Sequence, residues 1–200
     1  MPIDRDAVRR QHRHVDVRES RHPLVILADN VDKASNLGGL IRTADAFRCE
    51  RVVTNRPEVD TAGAMGADHW QPVAWEADLL QVAREYRKSG YSVVALEQEP
   101  NAVPFDRFVF PRRTVLIVGS EMFGVSPEIL EIAEATVYIP QAGLTKSLNV
   151  SAAMAIAAYE YSRQHWMMEF VQPARHLEVS SASVRVPTKP QHHFRARANG

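Results

Sequence analysis

The chain has 200 residues, 45% of them hydrophobic, and its 24 Lys and Arg balance 24 Asp and Glu to a formal net charge of zero. That length and apolar content can bury one substantial core. A single cysteine, Cys49, excludes an intramolecular disulfide and a Cys-cluster zinc site. No apolar leader and no run of roughly 18 apolar residues stand in the sequence, which argues against secretion and membrane spanning and leaves the cytoplasm as the expected compartment.

Charge is unevenly distributed. Residues 1–22 form a basic N-terminal extension in which Arg5, Arg9, Arg10, Arg13, Arg18 and Arg21 outnumber Asp4, Asp6, Asp16 and Glu19. A domain over 23–168 follows, and 169–200 reads as a basic tail. From Val171 onward, Arg175, Arg185, Lys189, Arg195 and Arg197 face Glu178 alone. The tail is rich in Ser, Pro, Arg and His and short of apolar residues, so no structure is assigned to it. Basic ends of this kind suit the phosphate-neutralising part of RNA binding, and they equally suit solvated termini.

The apolar run Leu24 to Ala28 predicts a strand, followed by a polar loop and a helix from Asn36 to Phe47. On that helix Leu37, Leu40, Ile41, Ala44 and Phe47 share one face, and Arg42 points away from it, as a solvated charge or a functional group. Gly38 and Gly39 each weaken the helix by about 1 kcal/mol relative to Ala, which calls for a close backbone approach there. Cys49, just past this helix, reads as a small buried hydrophobe. Further strands are expected at 51–54, 71–75, 91–95, 114–118 and 136–139, with helices at 77–89, 127–133 and 149–165. This βα alternation predicts an α/β fold with a mostly parallel sheet flanked by helices.

Two later loops stand out. Val115 to Val118 leads into Gly119-Ser120-Glu121 and Gly124, and Ser126 with Pro127 supplies an N-cap and first helical position. Alone, that pattern is common to many nucleotide-binding α/β proteins. Ile139 to Ser151 ends a strand at Pro140, passes Gly143 and opens a helix with Ser147-Leu148-Asn149. It holds no Cys, His or carboxylate for a metal, and it lacks the Walker order. Ser147 and Asn149 read there either as helix caps or as binding groups. The first strand is not followed by the glycine fingerprint of nicotinamide-binding enzymes. The helix from Val150 to Tyr161 is nearly apolar all round, with Ala152, Ala153, Ala155, Ala157 and Ala158, and must be buried in a core or at an interface.

In this order, the segments holding Asn36 with Arg42-Thr43-Ala44-Asp45-Ala46, Gly119-Ser120-Glu121 with Gly124, and Ile139-Pro140 through Ser147-Leu148-Asn149-Val150 resemble the three signature motifs of the SpoU branch of the SPOUT superfamily. The resemblance spans about Leu24 to Gln164. It is nearest to the TrmH-type enzymes that methylate the 2'-hydroxyl of a D-loop guanosine in tRNA. It implies the SPOUT fold with a C-terminal deep trefoil knot, S-adenosyl-L-methionine as cofactor, a homodimer and an RNA substrate, with ribosomal RNA as the alternative to tRNA. No metal or membrane is implied. A non-catalytic RNA-binding relative would lack Arg42, Glu121 or Asn149, and all three are present.

Methyl transfer to a ribose hydroxyl is an in-line displacement that needs an aligned nucleophile and a managed proton. By resemblance, Arg42 acts on the 2'-hydroxyl. Arginine is a poor general base, its pKa lying above about 12, so polarising the hydroxyl or gripping an adjacent phosphate is the preferred role over deprotonation. Asn36 holds RNA or orients Arg42. Glu121 fixes Arg42 or the Ser147-Asn149 loop, while Ser147 and Asn149 position the arginine and the methionine end of the cofactor. The cofactor is expected against Gly119, Glu121, Ile139, Ser147, Leu148 and Asn149, and RNA against Arg9, Arg10, Arg42, Arg163 and His165. The chain departs from the family in Arg48 where glycine is usual, in His165 where another arginine is common, and in the bulk of Met122-Phe123. Arg48 reads as a new positive charge beside RNA or as a surface change at a helix end without left-handed geometry.

Overall fold

The structure is a computed structural model that describes residues 21–57 and 62–166. Among these residues seven strands form one sheet: β1 (His22–Ala28), β2 (Cys49–Thr54), β3 (Val73–Trp75), β4 (Ser92–Leu96), β5 (Val103–Pro104), β6 (Thr114–Val118) and β7 (Ala135–Tyr138). Their order across the sheet is β3-β2-β1-β6-β4-β7-β5, and every pairing is parallel. Among the described residues, four α-helices cover it: α1 (Ala34–Ala46), α2 (Leu79–Lys88), α3 (Pro127–Ile132) and α4 (Val150–His165).

A parallel sheet buried on both faces needs strands that are apolar on both sides. β1 and β6 meet that need, and the pleat sends alternate residues to opposite faces. Leu24, Ile26, Ala28, Leu116 and Val118 join Leu40, Ile41, Met154 and Tyr161 under α1 and α4. Val25, Leu27, Val115 and Ile117 join Leu79, Ala83 and Ile129 under α2 and α3. The result is a three-layer α/β/α core, as the alternation predicts. The strand missed from sequence, β5, is two residues long, holds Pro104 and sits on the sheet edge, where proline is tolerated.

α1 buries Leu37, Leu40, Ile41 and Ala44 and leaves Arg42 exposed, as its periodicity predicts. The cost of its glycines is explained by neighbours: a methyl group on Gly39 would stand 2.8 Å from Ser151 Cβ at the start of α4. Eight residues on in both helices, Phe47 meets Tyr159 edge-on at 6.4 Å between ring centres. α1 and α4 therefore run side by side in the same direction. α4 is not buried all round. Val150, Met154, Ala157, Ala158 and Tyr161 face the sheet, while Ala152, Ile156 and Tyr159 form an exposed stripe at helical spacing.

Arg48 corrects the expectation for the end of α1. It adopts a left-handed backbone, φ 52°, at the position where the resemblance implies glycine, and its Nε and Nη2 are buried with no partner among the described residues. The helix does end in left-handed geometry, and a non-glycine residue bears the cost. Its carbonyl accepts from the His22 N–H at the amino end of β1, so Arg48 lies at the opposite end of the sheet from the motif loops. Cys49 is fully buried, and burial pushes its thiol up to about 12, consistent with a packing role.

Candidate active site

The loops after β4, β6 and β7 all leave the sheet at the carboxyl ends of adjacent strands, where open α/β folds bind ligands. They enclose a cavity of about 380 Å³. Gly119, Glu121, Ile139, Ser147 and Leu148 line it, together with Glu97 after β4 and Val150 and Ala153 of α4. That volume falls in the range of small-molecule sites. The loop after β6 is a tight hairpin in which Ser120 and Gly124 exchange backbone hydrogen bonds of 3.0 and 2.8 Å. A methyl group on Gly119 would lie 2.1 Å from the Gly124 carbonyl carbon, so only glycine permits this closure.

Beside the cavity, Asn149 is both cap and clamp. Its Oδ1 accepts from the N–H groups of Ser151 (3.1 Å) and Ala152 (3.4 Å) and from the Ser151 hydroxyl (2.7 Å), closing the amino end of α4. Its Nδ2 donates to Asn36 Oδ1 at 2.8 Å and to Glu121 Oε1 at 2.7 Å. The two sides of the amide thus fix its orientation. Lys33 Nζ donates to Glu121 Oε2 at 2.6 Å. Lys33 first, then hydrogen bonds from Asn36 and Asn149, holds the Glu121 carboxyl below its ordinary range. Of the two roles expected for Glu121, the contact is with the Asn149 side of the site and not with Arg42.

Arg42 is exposed and forms no ion pair with the described residues. Six residues after Asn36, it lies about 9 Å further along α1 and about 120° around it. It is absent from the cavity lining and stands exposed on α1. The described residues therefore bring Asn36, Glu121 and Asn149 together and leave Arg42 apart. Arg163 and His165 sit about 21 and 24 Å along α4 from Asn149. Arg163 makes a two-pronged pair with Glu160 (2.7 and 2.6 Å), and a ring nitrogen of His165 lies 2.9 Å from the Phe110 carbonyl oxygen. Arg9 and Arg10 lie outside the described residues.

Sequence reasoning missed Lys33, Asp29 and Glu97. Asp29, at the end of β1, is buried and accepts both the N–H (2.7 Å) and the hydroxyl (2.6 Å) of Ser126. Ser126 is the N-cap position of α3, as predicted, but its side chain turns to Asp29 instead of capping the helix. Only their position just past the ends of β1 and β4 could have marked Asp29 and Glu97. Among the described residues, no group of three or more His, Cys, Asp or Glu is placed to hold a metal ion, and no helix is long and apolar enough to cross a membrane.

Comparison with known proteins agrees with the motif geometry. The profile of the SpoU rRNA methylase family matches residues 23–159. A tRNA (guanosine(18)-2'-O)-methyltransferase of Aquifex aeolicus is 33% identical over 146 residues, covering 70% of this chain and 69% of that protein. The yeast enzyme of the same name is 30% identical over 155 residues, 73% of this chain but 11% of that much longer protein. Among solved structures, the A. aeolicus TrmH/SpoU tRNA modifying enzyme superimposes with a TM-score of 0.69 at 31% identity, covering 74% of this chain and 78% of that one. An AdoMet-bound rRNA methyltransferase from Sinorhizobium meliloti gives 0.63 at 30% identity over 72% of this chain and 59% of that one. With more than half its length matched by the family profile, the chain belongs to the SpoU methylase family.

Proposed function

We propose that this protein is an S-adenosylmethionine-dependent RNA 2'-O-methyltransferase whose substrate is a guanosine in the D-loop of tRNA, working in the cytoplasm as a homodimer. The observation that carries the reading is the junction of all three motif loops: the cavity of about 380 Å³ abuts the Asn36, Glu121 and Asn149 cluster. The A. aeolicus relative supplies the substrate by analogy, and the S. meliloti structure supplies the cofactor. The segment from β6 to α4 is taken to carry the trefoil knot of the family, and 23–168 to be the catalytic domain between RNA-contacting basic ends.

The cofactor, when bound, supplies a methyl group already activated on a sulfonium. The lining suits a cationic ligand, since it holds Glu97, Glu99 and Glu121 and no Lys, Arg or His. Gly119, Ile139, Ser147 and Leu148 would hold it. Glu121 and Asn149 keep the loops after β6 and β7 at fixed separation, so the cavity is preorganised. Arg42 is the group assigned to polarise the ribose hydroxyl. Because it stands outside its own cavity, and because Ala152, Ile156 and Tyr159 leave an exposed apolar stripe on α4, we infer that a second copy docks on this face and that the site is completed across the dimer. Ile156 and Tyr159 are 37% and 48% exposed, a large apolar surface for one helix to leave in water.

Ribosomal RNA is the second reading, favoured by the family's description and by the S. meliloti enzyme. Labelled methyl transfer to unmodified tRNA and to ribosomal RNA separates the two. Label entering tRNA supports the first reading, and label entering ribosomal RNA alone transfers the same chemistry to the second.

A further inference from the structure

Glu97 is not one of the motif residues, yet it lines the cavity from the carboxyl end of β4. Its backbone N–H donates to the Val137 carbonyl at 3.0 Å, so its base is fixed in the sheet. Its Oε2 accepts from the Val125 N–H at 3.0 Å, and Oε1 accepts from the Gln98 N–H at 2.8 Å. Gly124 has φ 71°, and a methyl group there would lie 2.3 Å from Glu97 Oε2. The carboxylate is thus held tightly against the hairpin after β6. Both partners are neutral amides, and no Lys or Arg pairs with it among the described residues. Glu121, by contrast, is neutralised by Lys33.

A carboxylate fixed by two amides keeps unused acceptor positions and its full charge. In a concave site such a charge acts on a ligand more strongly than it would on a flat surface. The cofactor assigned above changes charge in the reaction: its sulfonium becomes a neutral thioether once the methyl group has left. We propose that Glu97 is the specificity residue by which this cavity distinguishes the charged methyl donor from its demethylated product, favouring loading of the first and release of the second. The proposal rests on the cofactor reading above and adds a residue and a selectivity to it.

Calorimetric titration of the full chain with S-adenosylmethionine and with S-adenosylhomocysteine tests this without RNA or turnover. In Glu97→Gln, whose amide oxygen can still accept from Val125, donor affinity should fall about five- to twentyfold while product affinity stays within about twofold. Glu97→Asp, which keeps the charge and shortens the reach to Val125, should retain the wild-type preference for the donor. Equal weakening of both ligands in Glu97→Gln, or no change in either, overturns the proposal and leaves Glu97 as a latch for the hairpin. If the wild-type protein binds neither ligand, the cofactor reading falls and this proposal falls with it. Thermal unfolding of each variant identifies any loss that comes from misfolding.

Discussion

Asn149 and Glu121 are joined by a 2.7 Å hydrogen bond that ties the first residue before α4 to the loop after β6. Because the same amide caps α4 through its oxygen, cap and clamp can be separated by mutation. Asn149→Ala removes both, and the lost cap alone costs about 1 kcal/mol. Asn149→Asp keeps an acceptor for the Ser151 and Ala152 N–H groups but sets a carboxylate against Glu121. It should unfold near the wild-type temperature and bind S-adenosylmethionine at least about tenfold more weakly. Melting curves and calorimetry on the two variants check the separation.

Stability should depend on pH through His22, far from the active site. Burial first, then Arg48, Arg112 and His165, lowers its pKa from 6.5 to about 4, while its ring stacks on Trp166 at 3.7 Å. A histidine depressed in the folded state contributes fully above the unfolded value of 6.5. Its contribution is then lost as pH falls toward 4, because the unfolded chain takes up a proton that the folded one refuses. With the ring half-buried and partly screened, the loss is about 1–2 kcal/mol. Melting temperature should drop between pH 7 and pH 5, and His22→Phe, which keeps the stack, should flatten that slope.

Arg48 carries a left-handed backbone and two buried nitrogens without described partners, so reverting it to the family residue should help. Arg48→Gly is expected to stabilise by about 0.5–1.5 kcal/mol, read from chemical denaturation. Removing a cation beside His22 should also raise the pKa of that ring, visible in an NMR titration.

The division of the site across a dimer can be tested by mixing variants. Arg42→Ala and Asn149→Asp proteins should each be inactive, with Arg42→Ala binding the cofactor within about threefold of wild type. If Arg42 serves the partner's cavity, mixed dimers contain one intact site and regain part of the activity. If Arg42 serves its own cavity, every subunit is broken and mixing restores nothing.

Much of this was legible from local pattern. The strand at Leu24 to Ala28 and the core face of α1 follow from periodicity and burial alone, as does the exposure of Arg42. The glycines at 38 and 39 pointed to close contact but could not name Gly63 or Ser151 as the neighbours, which are far apart in sequence. Asn149 was readable as a cap or as a binding group, and the structure makes it a cap through one atom and a clamp through another. Lys33 and Glu97 were invisible for a physical reason. A lone charge in a polar loop has no periodicity, and its partner is set by sheet order, which brings the ends of β1, β4 and β6 together. Arg48 misled because nothing in a helix-end sequence reveals that a non-glycine residue accepts a left-handed backbone.

The most direct test is to incubate the protein with labelled S-adenosylmethionine and unmodified tRNA and to map the product nucleotide by mass spectrometry. A single ribose-methylated guanosine in the D-loop is the expected product. A methyl group on a base, or no transfer to tRNA at all by a protein that binds the cofactor, would contradict it.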